Sequence, residues 1–205
     1  MNPTLDPAAG LAVRLALAVL FASAALHKVR DWSEYRSAVA GYRLLPAALV
    51  VPVAFALAAA ECVLAAGLTM PGTAGRVAAA GAAGLLTVYA AAVGANLARG
   101  RRAIDCGCGG PAGRQPLHGG LVARNAVAAA AALAAALPAD GRALVWLDAL
   151  TVAGAAAGFG LLWASLDFAL ANRARLAESG WLRERRSAAQ VTGRPTEAAD
   201  PVGAR

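Results

Sequence analysis

Charged and aromatic side chains are both scarce in this chain. Only 15% of its 205 residues are charged and 5% are aromatic, whereas soluble domains usually carry about 25% charged residues. So few aromatic residues argue against a large water-soluble core. The chain also has no phosphate-binding loop, no Ser-His-Asp pattern and no zinc-protease motif. The residues therefore give no sign of a P-loop nucleotide-binding enzyme, a serine hydrolase or a zinc protease.

Apolar residues, mostly alanine, leucine, valine and glycine, make up most of what is present. The hydrophobic share is 59%, and the net charge is +7. The basic residues lie in loops and in a tail between apolar runs, which is typical of membrane topology. No motif for reading nucleic acid accompanies the charge. We therefore expect a multi-pass protein of the cell (plasma) membrane that contacts the lipid bilayer and binds no nucleic acid.

Five apolar runs divide the chain, each close to the roughly 20 residues that a spanning helix needs. They cover about residues 11–26, 46–69, 74–97, 120–137 and 144–170. The predicted fold class is all-α integral membrane, a bundle of about five transmembrane helices (a four-helix core plus one). The first run is expected to be a retained helix, because basic residues rather than a cleavage site follow it. The polar, aromatic stretch after it predicts a short interfacial helix.

The basic residues also suggest domain limits and an orientation. Residues 1–170 are predicted to form the transmembrane domain, and 171–205 a basic tail that is partly disordered. Most lysines and arginines fall in the loop between the first and second apolar runs (the 1–2 loop), in the loop between the third and fourth runs (the 3–4 loop) and in the tail. Only Arg76 and Arg142 lie between the other runs. The positive-inside rule therefore predicts an external N-terminus and cytoplasmic 1–2 and 3–4 loops.

The sharpest chemical feature is a pair of cysteines two positions apart, Cys106 and Cys108, in the Gly- and Arg-rich 3–4 loop. Gly107 permits the bend that a bond between them requires, and the small ring would be strained. Strained disulfides are more oxidising and more labile than structural ones, so the pair predicts thiol–disulfide exchange. Two alternatives stay open: ordinary cysteines, or a metal site with Asp105 and His118, which lacks the usual paired spacing.

Three further candidate residues lie in or beside the apolar runs. Glu61 is a carboxylate within the second run, where charge is expensive and usually faces a partner or a cavity; Arg14 and Arg124 are the available partners. Alternatively, Glu61 is a site that takes up a proton or that binds a polar ligand, such as a quinone head group. Cys62 is either a small buried hydrophobic residue or a third thiol that receives a disulfide from the pair. His27 is either interfacial or a proton donor near a redox centre.

Short motifs surround these candidates. They are Leu26-His-Lys-Val29, Gly41-Tyr-Arg-Leu-Leu-Pro46, Glu61 followed by Leu64 and Gly67, Arg102-Ala-Ile-Asp-Cys-Gly-Cys-Gly109, and Arg124-Asn125. Together with the helix pattern over about residues 10–170, they resemble the MauE family, the methylamine utilisation membrane proteins of the wider DoxX-like group. The chain departs from the family pattern at Gly109, where the family has phenylalanine.

The resemblance implies a role in maturing an exported protein, such as the disulfide-rich small subunit of methylamine dehydrogenase. It also implies a thioredoxin-like partner and a similarity to quinone-linked thiol oxidoreductases of the membrane. No cofactor is certain from the residues; a quinone near Glu61 or His27 is a further hypothesis. The alternative function is that of a non-catalytic membrane assembly or transport factor with incidental cysteines.

The charge pattern and the family resemblance predict different compartments for the loop that contains Cys106 and Cys108. Oxidation of an exported substrate needs the 3–4 loop outside, whereas the charge pattern predicts the cytoplasm, where thiols are kept reduced. Three explanations stay open. The chain acts on the reducing side, the charge rule does not hold for it, or the helix count is wrong by one.

Overall fold

Six helices make up the computed structural model, which describes residues 5–102, 104, 106–107, 116–138 and 142–192. In chain order they are α1 (Pro7–Arg30), α2 (Trp32–Gly41), α3 (Ala47–Leu68), α4 (Gly72–Ala98), α5 (Gly119–Ala135) and α6 (Trp146–Thr192). Within these ranges every regular element is a helix. The predicted all-α architecture is confirmed.

Four of the six helices are candidate membrane spans, and a fifth helix is apolar but shorter. Helices α1, α3, α4 and the Trp146–Leu166 part of α6 are long and apolar enough to cross a bilayer, and α5 is a shorter apolar helix. At 1.5 Å per residue, a helix of 22 residues such as α3 reaches about 33 Å, close to the roughly 30 Å of a hydrocarbon core. The chain is therefore a multi-pass membrane protein of about five helices, with α2 as the predicted short helix after the first span.

The last helix runs past the predicted end of the transmembrane domain. Helix α6 continues without a break across residue 170, and residues 193–205 of the predicted tail lie outside the described residues. The division of the chain at residue 170 stays a prediction.

Polar contacts close the bundle at the end where α1 begins. Asp6 caps α1 by accepting hydrogen bonds from the backbone N–H groups of Ala8 (2.9 Å) and Ala9 (3.2 Å). Arg142 donates to Asp6 at 2.7 Å and to Asp148 at 2.8 Å, which ties the start of α1 to the start of α6. The hydrogen bond from Arg142 holds the pKa of Asp6 below its ordinary value.

Small side chains fill most of the interior between α1, α4 and α5. The large members of this buried cluster are Leu17, Phe21, Leu68 and Leu86. The rest of the buried cluster is rich in alanine, with Ala79, Ala82, Ala83, Ala128, Ala129 and Ala132. Membrane helices associate by close backbone approach, which small residues allow. The many alanines of the sequence thus lie where helices contact one another.

Candidate functional site

A cavity of about 220 Å³ lies between α2, α3 and α4 and extends to the 3–4 loop, which connects α4 and α5. Val53 and Leu57 line it from α3, and Tyr89 and Val93 line it from α4. Each pair is four residues apart, so both members lie on one face of their helix. The wall is mostly apolar, and Lys28 at the end of α1 brings the strongest polar group to it.

A buried ion pair between Lys28 and Glu61 lies beside this cavity. The Lys28 ammonium donates a hydrogen bond to Glu61 Oε1, and the two side chains are only 4% and 1% exposed. Tyr89 completes a triangle, because its hydroxyl donates to the same Oε1 at 2.8 Å and lies 3.3 Å from Lys28 Nζ. Charges inside a membrane protein persist when they pair in this way.

Aromatic rings enclose the ammonium group. Lys28 Nζ lies 5.1 Å from the ring centroid of Tyr35 and 5.0 Å from that of Tyr89, within the range of a cation–π interaction. The other carboxylate oxygen, Glu61 Oε2, is buried and accepts no hydrogen bond from any residue that the structure describes. The cluster therefore has acceptor capacity that its own donors do not use.

The partner of Glu61 differs from the one that the sequence suggested. Arg14 binds the carbonyl oxygen of Met70 at 3.2 Å, and the Arg124 guanidinium lies 4.6 Å from the ring centroid of Trp163. Lys28, at the end of the first apolar run, is the partner instead. Hydropathy places residues along a helix axis, but it does not show how far α1 and α3 are offset from each other.

Cys106 is held in the wall of the same cavity. Its side chain is buried in a small cluster with Val93, Leu117 and Leu121. Because Tyr89 precedes Val93 by four residues, it lies about 6 Å further along α4 from the part that packs with the thiol. The cavity thus joins the cysteine loop to the Lys28–Glu61–Tyr89 triangle.

Hydrogen bonds fix the loop on the end of α2. The Tyr42 hydroxyl donates to the carbonyl oxygen of Cys106 at 3.0 Å. Arg101 donates to the carbonyl oxygens of Tyr42 at 3.0 Å and Gly41 at 2.9 Å. Arg101 thus positions the loop by satisfying backbone carbonyl groups at the end of α2.

Gly107 brings the loop backbone close to α2. Its φ of +68° lies in the left-handed region, and a Cβ atom at this position would lie 2.9 Å from Ala38 Cβ. Only glycine fits both conditions without strain. The predicted role of Gly107, to allow a tight bend beside Cys106, has a second part: it lets the loop pack on α2.

The other candidate residues lie apart from this arrangement or outside the described residues. Cys62 is exposed on the outer surface of α3, rather than buried as a small core residue, and His27 is half-buried; neither lines the cavity. Cys108 and Asp105 lie outside the described residues. Within the described ranges, no three His, Cys, Asp or Glu side chains are grouped to hold a metal ion. The roles of Cys62, His27 and Cys108 stay predictions.

A second polar group occupies the start of α5. Arg124 and Asn125 are buried there, and His118 is the residue that precedes the helix. Burial is the main cause that lowers the pKa of His118, and the charge of Arg124 adds to it. The sequence raised His118 only as a metal ligand; the structure places it at the boundary between the loop and α5.

These features define a class: a multi-pass membrane protein with a cysteine in the wall of a cavity beside a buried Lys-Glu-Tyr cluster. Residues 6–138 match the family model described as "Methylamine utilisation protein MauE". This match covers more than half of the chain and includes Lys28, Glu61, Tyr89 and Cys106. The chain belongs to the MauE family.

Relatives of the same description support this assignment. The chain is 44% identical over 125 residues to the methylamine utilization protein MauE of Paracoccus denitrificans, a match that covers 61% of this chain and 67% of that protein. It is 45% identical over 131 residues to that of Paracoccus versutus, covering 64% and 70%. It is 40% identical over 156 residues to that of Methylorubrum extorquens, covering 76% and 77%. No solved structure matches the chain.

Proposed function

We propose that this chain supports disulfide formation in an exported protein by thiol–disulfide exchange at Cys106 and Cys108. The observation that carries the proposal is the position of Cys106, which is buried in the wall of a cavity in a membrane-spanning bundle and joined by that cavity to an ion pair. The names of the relatives point to methylamine utilisation. We therefore propose a disulfide-rich subunit of methylamine dehydrogenase, or a similar protein, as the substrate, in the plasma membrane.

The exchange consists of two displacements at sulfur. A substrate thiolate attacks the Cys108 sulfur of a Cys106–Cys108 disulfide, so that the S–S bond breaks, a mixed disulfide forms and Cys106 leaves as a thiolate. The second substrate thiolate then attacks the substrate sulfur of the mixed disulfide and releases Cys108. The substrate loses two electrons and two protons, and the cysteine pair gains them as two thiols.

We propose different roles for the two cysteines, and the burial of Cys106 supports this proposal. The side chain of Cys106 is largely enclosed, so a protein substrate is too large to reach it directly. We assign first contact to Cys108. Cys106 is the thiolate that leaves when a substrate is oxidised, and in the reverse reaction with an oxidised partner it attacks Cys108 and resolves the mixed disulfide. A thioredoxin-like protein suits the first contact, because it presents one reactive sulfur at its surface to another thiol.

Trapping the mixed disulfide tests this function. The purified chain is incubated with an oxidised thioredoxin-fold protein and analysed on non-reducing gels. We expect the Cys106→Ser chain to accumulate a mixed disulfide through Cys108, because the resolving thiol is gone. We expect the Cys108→Ser chain to form none, and both variants to lose steady-state oxidation of a dithiol substrate.

Cys62→Ser is the matched control, because Cys62 lies on the outer surface of α3. We expect its oxidation rate to stay within about twofold of the unmodified chain, a change of under about 0.5 kcal/mol. A large loss in this variant would instead make Cys62 the third thiol. If Cys106→Ser oxidises the substrate as fast as the unmodified chain, and no variant forms a mixed disulfide, the proposed exchange is contradicted. The chain would then be a non-catalytic assembly factor.

A further inference from the structure

We infer that the cavity between α2, α3 and α4 binds the ring of a lipid-soluble quinone, with the Lys28 ammonium as the group that meets a ring oxygen. This inference rests on the proposed function, because the quinone would reoxidise the Cys106–Cys108 pair. Lys28, Tyr89 and Cys106 line one continuous cavity. An electron acceptor and the Cys106 thiol would thus share a cavity.

The size of the cavity suits a single substituted ring. An apolar cavity of about 150 Å³ in a protein interior is large enough to hold benzene. The volume here is about 220 Å³, which leaves room for the oxygens and small substituents of a quinone head group. A folded peptide segment or a complete cofactor such as a flavin needs considerably more space.

The Lys28 ammonium brings hydrogen-bond donors to one place in an otherwise apolar wall. An ammonium group has three N–H donors. Lys28 directs one to Glu61 and one to the Tyr89 hydroxyl, which leaves the third for a ligand oxygen. A quinone oxygen gains negative charge on reduction, and donors fixed beside that position stabilise it. An acyl chain has the apolar character that fits the wall but no oxygen for these donors.

The side of the bundle provides a route of entry. Val88 and Leu44 both line the cavity and are also 56% and 39% exposed on the outer surface. Val88 lies within a membrane-spanning helix, ten residues before its end at Ala98. The cavity therefore opens toward the hydrocarbon region of the bilayer, where a lipid-soluble quinone is dissolved and its tail can remain.

The redox step balances without another reactant. The thiols of Cys106 and Cys108 lose two electrons and two protons, and one S–S bond forms as two S–H bonds break. The quinone gains the same two electrons and two protons, and two O–H bonds form to give the hydroquinone. The exchange described above then returns the cysteine pair to the dithiol form.

Two neighbouring alanines in α4 give a matched pair of variants. Ala92 lines the cavity, whereas Ala91 is exposed on the outer surface of the same helix turn. Ala92→Phe fills the space that a ring would occupy, and Ala91→Phe adds the same side chain outside it. The full chain is placed in phosphatidylcholine nanodiscs, its cysteines are reduced, and decylubiquinone is added as the probe.

We expect the unmodified chain and Ala91→Phe to reduce decylubiquinone with half-saturating concentrations within about twofold of each other. We expect Ala92→Phe to need at least about tenfold more quinone, equivalent to about 1.4 kcal/mol. A photoreactive quinone analogue should label peptides of α2, α3 or α4 in the unmodified chain. Decylubiquinone should suppress this labelling, and decylbenzene, which lacks the ring oxygens, should not.

Equal behaviour of Ala92→Phe and Ala91→Phe would overturn the inference, as would equal competition by decylbenzene. A chain with both Cys106→Ser and Cys108→Ser should still be photolabelled but should reduce no quinone, so binding is measured apart from chemistry. If mixed disulfides form but no quinone labels the cavity, this inference alone fails. If the quinone labels the cavity but no mixed disulfide forms, the proposed function fails.

Discussion

Lys28→Met is expected to destabilise the bundle by about 3–5 kcal/mol, because it leaves the buried Glu61 carboxylate without its counter-charge. Glu61 is almost fully enclosed, and its Oε2 atom already accepts no hydrogen bond from the described residues. Only the Tyr89 hydroxyl would still donate to Oε1. The measurement is thermal unfolding of the purified chain in one detergent at one pH.

Two variants separate this effect from a general loss of positive charge. Arg30→Met removes a basic residue from the same helix turn, but Arg30 is exposed, so we expect a change within about 0.5 kcal/mol. Lys28→Met/Glu61→Gln removes both charges and keeps an acceptor for Tyr89, so we expect it to recover most of the lost stability. If Lys28→Met were as stable as Arg30→Met, the buried ion pair would not exist.

Gly107→Ala is expected to reduce thiol exchange strongly and to lower stability. A non-glycine residue in the left-handed region costs roughly 1–2 kcal/mol. The added Cβ would also lie 2.9 Å from Ala38 Cβ, closer than side-chain carbons normally approach. The loop must then move away from α2, and Cys106 moves with it. The measurements are thermal unfolding and the rate of disulfide exchange with a thioredoxin-fold protein.

Gly100→Ala is the matched control for this steric contact. Gly100 has a φ of +73°, close to that of Gly107, but a Cβ there would meet nothing within 4 Å. We expect it to lose similar backbone stability while exchange at Cys106 continues. Ala38→Gly combined with Gly107→Ala should recover part of the exchange rate. Equal loss of exchange in Gly100→Ala and Gly107→Ala would show that contact with α2 does not position Cys106.

The helices could be predicted from the sequence because a bilayer allows few alternatives. Backbone groups in the hydrocarbon region must bond within their own segment, so long apolar runs become helices. The runs predicted at 46–69 and 74–97 agree with α3 and α4 to within a few residues. The apolar stretches at 11–26 and 120–137 also become helices, although each contains an arginine.

The contacts between helices could not be predicted in the same way. Glu61 was correctly expected to face a partner or a cavity, but the partner depends on the axial offset of α1 and α3, which no periodicity encodes. Tyr89 was missed, although it is the one aromatic residue of the third apolar run and thus an available signal. Arg101 bonds to backbone carbonyl groups at the end of α2, a contact that its place in the sequence does not indicate.

The compartment that Cys106 faces decides the direction of the exchange. Contacts between Tyr42 and Cys106 place the 1–2 loop and the 3–4 loop at the same end of the bundle. The conflict between the charge pattern and an exported substrate therefore concerns both loops together. A loop at the external surface can oxidise exported proteins, whereas a cytoplasmic loop lies where thiols are kept reduced.

Labelling of single cysteines from outside the cell is the most direct measurement. Ser33→Cys on α2 and Thr73→Cys at the start of α4 replace exposed hydroxyl groups at opposite ends of the bundle, in a chain whose native cysteines are all replaced by serine. Oxidation of an exported protein predicts that a membrane-impermeant maleimide modifies Ser33→Cys in intact cells and Thr73→Cys only after permeabilisation. The reverse pattern would confirm the orientation that the charges predict and would contradict oxidation of an exported substrate at Cys106 and Cys108.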